Sequence, residues 1–313
     1  MNLDAVAAAL EARLPGRVER AAPSAPLTTY RCGGSLAVLV RVDGESDANE
    51  VAAVLARQPG VAVLVIGRGS NLLIADRGFA GVAIVPGGDF ERLDVDRAAA
   101  RVLAGSAVAL PVLARQAAKA GIGGLEFFVG IPGSVGGAVR MNAGGHGAQT
   151  ADVLVSARVL DLVGGGEREI GVDALGLGYR RSVLGSRDFV LSAAFAGAAE
   201  DPAVCDRRID EIVRWRREHQ PGGQNAGSVF TNPPDDAAGR LIEAAGCKGL
   251  RVGGVVVSEK HANFFAASPG AHADDVLALV RLVQSRVEAA TGVRLELELQ
   301  LIGFADTTRE VGE

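Results

Sequence analysis

Two glycine-rich segments and three polar side chains are the parts of this chain with chemistry to offer. In VIGRGSNLLIAD, residues 65–76, Gly67 and Gly69 come directly after an apolar run, and Arg68, Ser70 and Asn71 accompany them. Bare backbone at the end of a buried strand can approach a phosphate closely and donate N–H groups to it, so 67–71 is a candidate pyrophosphate cradle. It is not the Rossmann fingerprint, because no G-x-G-x-x-G opens a helix and Leu72 continues into strand-like sequence. A second segment, GLEFFVGIPGSVGGAVRMNAG at 124–144, holds Gly130, Gly133, Gly136, Gly137 and Gly144, with Ile131, Pro132, Ser134 and Ala138 among them. Glycine at that density is either backbone wrapped around a ligand or a set of turns packed on a sheet. Two such loops, each following an apolar run, favour a dinucleotide held by main-chain donors, and a bulky side chain at Gly69 or Gly133 is expected to obstruct it.

The polar side chains say less one at a time. Ser228, between Gly227 and Val229, sits in a turn that would leave its hydroxyl accessible, but a hydroxyl protonates carbon only if its neighbours acidify it, and most serines so placed simply cap a turn. Arg180 follows Tyr179 in a short loop after 175–178, where an arginine is ordinarily a surface charge. Alternation in LELELQLIG, 295–303, puts Leu295, Leu297, Leu299 and Leu301 on one face and Glu296, Glu298 and Gln300 on the other, which faces either solvent or a polar site. Arg214, Lys248, Lys260, His261 and Asn263 add basic and polar groups in or just before the last third, where solvated charge is the plain reading. Cys32, Cys205 and Cys247 show no CxxC or CxxH spacing, so neither a zinc site nor a disulfide framework is indicated, and a reducing cytoplasm fits best.

Those residues need a scaffold of alternating elements. Leu3, Val6, Leu10 and Leu14 predict a short amphipathic helix, a lid on the first domain. The runs 36–42 and 61–66, with helical periodicity between residues 46 and 58, predict a β-α-β unit; 82–85 and 102–104 continue as strands. Pro111 opens a helix that Gly121 stops. Strands are expected at 153–161 and 189–195, then a charge-dense linker helix over 206–219, with the main boundary near residue 200. Beyond it Asp236 is expected to cap a helix ending at Gly246, 252–258 to be a strand, and Val276, Leu279, Val280, Val283 and Val287 to form one helical stripe before the period-two strand 295–303.

Composition narrows the class. With 313 residues the chain has room for two or three sub-domains and a large buried cofactor. A net charge of −5 argues against a nucleic-acid partner, which needs a broad basic face. Asp4, Glu11 and Arg13 interrupt the apolar N-terminus, which is unlike a signal peptide, and no uncharged stretch approaches the roughly 20 residues of a membrane span. Neither export by that route nor membrane anchoring is expected.

GRGSNLLIAD, GIPGSVGGAV with MNAG, YRRS at 179–182, GSVFTNP at 227–233 and LELELQLIG occur in the order of a known signature: over about residues 27–303 the chain resembles the UDP-N-acetylenolpyruvoylglucosamine reductase (MurB) family. The resemblance implies an α+β protein with an FAD-binding fold of the vanillyl-alcohol-oxidase or p-cresol-methylhydroxylase type in two sub-domains, 1–86 and 87–200, and a C-terminal α/β substrate-binding domain, 201–313, whose last strand returns toward the flavin. It implies noncovalent FAD, cradled by residues 67–71 and by Gly130, Ile131, Pro132, Gly133, Ser134, Gly137 and Ala138. NADPH would be the hydride-donating cosubstrate, and the reaction would convert UDP-N-acetylglucosamine enolpyruvate to UDP-N-acetylmuramate. By the same resemblance Ser228 is the proton donor, Arg180 sits at the substrate carboxylate, Glu298 is the catalytic glutamate, and Tyr179, Lys248, His261 and Asn263 are substrate contacts. The short stretch between Arg180 and Ser228 leaves no room for an extra closing loop and resembles the short-loop (type II) subclass. Two rivals stay open: an oxidase that tethers FAD through a histidine, for which His146 is the sole candidate near a flavin motif, and a noncatalytic flavin-binding protein.

Overall fold

The computed structural model describes residues 2–304; the expected third domain extends to 313, and its last residues lie outside the described ones. Helix α1 (Leu3–Arg13) begins where Asn2 Oδ1 accepts the Ala5 N–H at 3.1 Å, and it buries Val6 and Leu10. These pack with Val38, Val40 and Val51, so α1 covers the first sheet as the lid expected. That sheet comprises β1 (Val18–Pro23), β2 (Ser35–Val42), β3 (Val63–Val65) and β5 (Phe79–Pro86), with α2 (Glu45–Leu55) between β2 and β3 and a short β4 (Leu72–Ile74) set apart. The order is β1-β2-β5-β3, in which β5 runs parallel to both β2 and β3. The expected β-α-β unit is thus present, with β5 lying between its two strands.

The second sheet is antiparallel throughout: β6 (Leu93–Asp96), β7 (Arg101–Gly105), β8 (Leu154–Asp161), β9 (Glu167–Gly171) and β10 (Asp188–Ala196) lie in the order β9-β8-β10-β7-β6. Two helices occur in the excursion from β7 to β8. One is α3 (Leu110–Lys119), with Pro111 in its first turn and Gly121 at φ +73° beyond its end. The other is α4 (Val135–Met141), which Asn142 ends in the left-handed conformation at φ +42°. The glycine-rich segment 130–144 is therefore partly a helix, with Ser134 at the N-cap position but without a side-chain capping hydrogen bond.

A long helix, α5 (Pro202–His219), leads into the third region: α6 (Ala238–Ala244), the small sheet β11 (Arg251–Val252), β12 (Val255–Val257) and β13 (Phe265–Ala267), then α7 (Ala273–Thr291) and β14 (Gln300–Ile302). The five-residue stripe on α7 is wholly buried, as its spacing predicts. Three expectations change. The run 252–258 is a hairpin: Gly253, at φ +49°, and Gly254 turn the chain so that Val252 pairs with Val255, which is what a Gly-Gly pair between β-branched residues does. Asp236 does not cap α6; Ala237 holds that position, and the Asp236 carboxylate takes the Ala237 N–H at 2.7 Å and pairs with Arg240. LELELQLIG is not one strand, because the chain changes partners inside it. Leu297 bridges to Phe230, whereas 300–302 pair in parallel with β4; only Leu295 and Leu299 of the four leucines are fully buried.

That change of partners ties the third region to the first. The Asp76 carboxylate, at the end of the GRGSNLLIAD motif, accepts the Ala273 and Asp274 N–H groups at 3.1 and 3.0 Å, capping α7 from 197 residues away. Tyr30, Cys32 and Leu73 complete the core that α7 lines, and burial pushes the Cys32 thiol up to about 12, with Asp76 and Asp275 adding to the shift. All three cysteines are buried and free. Among the described residues no helix is long and apolar enough to cross a membrane.

Candidate active site

One cleft of about 1410 Å³ runs between the three regions, with the glycine segments along one part and charged side chains along another. The loop 67–71 follows β3 and faces 130–138. Gly69 has φ +59°, and a Cβ there would overlap the Leu27 carbonyl, so the chain's own packing demands glycine. A Cβ at Gly67 would overlap Ser134 Oγ, which puts the two segments in contact. The second segment is pinned to 106–110: Leu110 N–H donates to Gly133 O at 3.1 Å, Val135 N–H to Val108 O at 3.0 Å and Gly136 N–H to Ser106 O at 2.9 Å. Ser106 Oγ, on the cleft wall, is buried with no hydrogen-bond partner among the described residues. A buried hydroxyl without a partner is costly unless a ligand completes it. No acidic side chain lies in 67–71 or 130–138. An anionic dinucleotide such as FAD fits this wall: glycine backbone, an uncompleted hydroxyl and no competing carboxylate.

At the charged part, Arg180 and Glu298 meet, 118 residues apart in sequence: Arg180 Nε donates to Glu298 Oε1 at 2.6 Å, and a terminal guanidinium nitrogen donates to Gly144 O at 3.1 Å. Their side chains are 22% and 15% exposed, so both charges are largely out of water. Burial pushes the Glu298 carboxyl above its ordinary range even though Arg180 opposes the shift. Arg180 sits in a tight turn in which Gly178 and Arg181 exchange backbone hydrogen bonds, and it has φ +56°, a left-handed conformation that costs a non-glycine residue about 1–3 kcal/mol. The turn is held by Asn142, whose side chain donates to Gly178 O and Gln149 Oε1, each at 3.0 Å, while its oxygen accepts the Ala151 N–H at 2.9 Å. Ser228 lines the same cleft from a bend, next to Gly227 at φ +73°, that is bridged to Phe264. The carbonyl of the next residue, Val229, accepts the Glu298 N–H at 2.9 Å, tying the glutamate to the segment that carries the serine.

Arg180, Ser228, Glu298 and every glycine-loop residue named from the sequence line this cleft; Tyr179, Lys248, His261 and Asn263 do not. The Tyr179 hydroxyl accepts the Asn232 N–H at 3.4 Å, and its ring lies 5.0 Å from the Arg180 guanidinium. Lys248 pairs with Glu243 at 2.8 Å. His261 packs edge-on against Phe264, and burial holds its imidazole below the usual range. Asn263 is buried, and both ends of its amide bond to the Phe230 backbone, at 2.9 and 2.8 Å, which fixes the segment carrying Ser228. His146 is also outside the lining, with its ring edge-on to Trp215 at 5.1 Å.

Residues 37–169 match the family profile of an FAD binding domain, and residues 219–302 that of the UDP-N-acetylenolpyruvoylglucosamine reductase C-terminal domain. Over 294 residues, 93% of this chain and 94% of the relative, the sequence is 42% identical to the UDP-N-acetylenolpyruvoylglucosamine reductase of Paramagnetospirillum magneticum. The chain belongs to the UDP-N-acetylenolpyruvoylglucosamine reductase family. It is also 43% identical over 295 residues to reductase 2 of that name from Symbiobacterium thermophilum, with 93% and 94% of the two chains covered. The crystal structure of the family's enzyme (MurB) from Thermus caldophilus superposes with a TM-score of 0.78 at 36% identity, covering 91% of this chain and 99% of that one. The family's members are FAD-dependent oxidoreductases of peptidoglycan-precursor synthesis, and the fold is the FAD-binding fold with an added C-terminal domain that the motifs implied. In this member the stretch between Arg180 and Ser228 is taken up by β10 and α5. Sequence reading gave Ser106 and Asn142 no role. Asn142 carried a usable signal, an Asn-Ala-Gly run just after a helix, since asparagine tolerates the left-handed cap; Ser106 carried none, because only the fold shows that its hydroxyl is buried.

Proposed function

We propose that this chain reduces UDP-N-acetylglucosamine enolpyruvate to UDP-N-acetylmuramate in the cytoplasm, with NADPH as hydride donor, FAD bound noncovalently, and only small molecules, neither nucleic acid nor membrane, as partners. In this reading 1–86 and 87–200 hold the cofactor and 201–313 the substrate. The observation that carries it is the Arg180–Glu298 pair meeting in the cleft beside Ser228. FAD, when bound, supplies the chemistry of hydride transfer from NADPH to the enolpyruvyl group. Hydride added to the terminal carbon converts the C=C bond into a new C–H bond and an electron pair delocalised into the adjacent carboxylate. Arg180 stabilises that charge with a guanidinium already held in place, and preorganised charge of this kind is usually the largest single catalytic contribution. Glu298, with its carboxyl held above the ordinary range, is suited to share a proton with the same oxygens. Ser228 gives its hydroxyl proton to the carbon bearing the ether oxygen, closing the second C–H bond, and is reprotonated from solvent. Lys248, His261 and Tyr179 are left for the sugar nucleotide beyond the cleft's charged part.

The test is the visible spectrum of the purified protein. The protein should be yellow, lose its colour under anaerobic NADPH and regain it on addition of the enolpyruvyl sugar nucleotide, and denaturation should release the colour into solution. Colour retained on the denatured chain would favour the histidine-tethered oxidase, and failure of NADPH to bleach the protein would favour a noncatalytic flavin protein.

A further inference from the structure

We propose that Asn71 is a positioning residue for the reaction: its side chain sets the depth at which Glu298, and through it Arg180, stands in the cleft. This rests on the reading that Glu298 and Arg180 stabilise the charged intermediate. Asn71 belongs to the glycine loop, where the plain expectation for an amide is a contact to the cofactor. Its Nδ2 instead donates to the Glu298 carbonyl at 3.0 Å, while its own carbonyl accepts the Gln300 N–H at 3.0 Å. The bracket falls where the terminal segment leaves the Ser228 segment and joins β4. At such a switch a carbonyl loses its ladder partner, and a buried carbonyl must find a donor elsewhere. Asn71 supplies it, with Gln300 Nε2 as a second donor to the same oxygen at 3.2 Å.

Residue 298 is consequently held at three points: its amide by Val229, its carbonyl by Asn71 and its carboxyl by Arg180. The first ties it to the segment that carries Ser228 and the third to Arg180. Asn71 is the one that refers its position to the cofactor loop, since the next residue opens β4 and Leu72 pairs with Gln300. Through Asn71, where the loop passes into β4, the acid is thereby placed against the cofactor side of the cleft.

The experiment uses the FAD-loaded full chain and four variants: Asn71→Ala, the isosteric Asn71→Asp, Glu298→Gln, and Asn71→Ala combined with Glu298→Gln. FAD affinity is measured by fluorescence titration of the apoprotein, and the two half-reactions by anaerobic stopped-flow absorbance. A misplacement near 1 Å is worth about a hundredfold, so Asn71→Ala should slow reoxidation by the enolpyruvyl substrate by roughly ten- to a hundredfold. Both rates are read on the FAD-loaded fraction, and the loss should fall on reoxidation rather than on bleaching by NADPH. Asn71→Asp keeps the shape but loses the N–H donor: its carboxylate in the cradle should weaken FAD binding, and its loaded fraction should reoxidise as slowly as that of Asn71→Ala, which separates a lost hydrogen bond from a lost fold. In the Glu298→Gln background, adding Asn71→Ala should have much less effect, because the two residues act as one unit. Weakened FAD binding with wild-type reoxidation of the loaded fraction would overturn the proposal, and so would the same fold loss in both backgrounds. Wild-type reoxidation in Glu298→Gln alone would instead sink the reading of Glu298 itself.

Discussion

The glycine-lined part of the cleft and its charged part are assembled in opposite ways. The first uses backbone from two segments, each continuous in sequence, and its residues are fixed by contacts within the two cofactor sub-domains: Gly69 against Leu27, Gly67 against Ser134, and 133–136 against 106–110. The second uses side chains from three segments far apart in sequence, and its geometry depends on docking between regions through β4 and β14, the Asp76 cap on α7 and Asn71. Backbone cradles hold a ligand; converging charges act on a reaction. A lesion in the first should therefore change how much cofactor is bound, and a lesion in the second how fast the bound cofactor is used.

The sharpest division comes from Ser228→Ala. Reoxidation by the enolpyruvyl substrate should slow by about a hundred- to ten-thousandfold, the usual worth of a positioned general acid, while bleaching by NADPH and FAD content stay unchanged. Ser228→Cys should recover part of the loss; impaired bleaching with intact reoxidation would place the serine with the cofactor. Next is Arg180→Lys, which keeps the charge and inherits the same left-handed backbone, so only the planar fork is lost. Turnover should fall by about a hundredfold, the typical worth of one such donor, and a fall within about threefold would take Arg180 out of the site.

The cradle should break differently. Gly69→Ala places a Cβ on the Leu27 carbonyl at φ +59°, and a side chain forced into that conformation costs about 1–3 kcal/mol. The midpoint of urea unfolding should drop, while the fraction that keeps FAD turns over at the wild-type rate; a slow loaded fraction would dissolve the division. The smallest effect concerns pH. The folded state holds the Glu298 proton more tightly than the unfolded chain, whose carboxyl has the ordinary value of 4.5. The stability linked to that proton is complete below 4.5 and is lost as pH rises through the higher folded value. Wild type should therefore gain stability relative to Glu298→Gln between pH 7 and pH 5 in urea titrations, and a gain in the opposite direction would contradict the burial of that carboxyl.

The same contrast explains what was legible in the sequence. The glycine segments, the β-α-β unit and the α7 stripe announce themselves because their causes are local: backbone freedom at Gly67 and Gly69, and a helical repeat through Val276 and Val287. The charged part was not legible from its residues alone. Arg180 reads as a surface charge, Glu298 as one of two equivalent glutamates on a polar face and Ser228 as a turn residue, and only the family signature set them apart. The strand expected over 295–303 failed for the same reason, since its change of partner at 298–300 is dictated by β4, more than two hundred residues earlier. Asn263 and Asn71 offer amides in a sequence that hides whether those amides face a ligand or the chain's own backbone; folding turned both toward backbone.

The division of labour between the two parts is tested most directly by carrying wild type, Gly67→Val and Ser228→Ala through one anaerobic stopped-flow sequence, reduction by NADPH and then reoxidation by the enolpyruvyl sugar nucleotide, with every signal normalised to bound FAD. Gly67→Val should bind less FAD, because its Cβ meets Ser134 Oγ, but its loaded fraction should pass both steps at wild-type rates. Ser228→Ala should bind FAD fully, pass the first step at the wild-type rate and stall at the second. Slow reoxidation in loaded Gly67→Val, or reduced FAD content in Ser228→Ala, would contradict the separation.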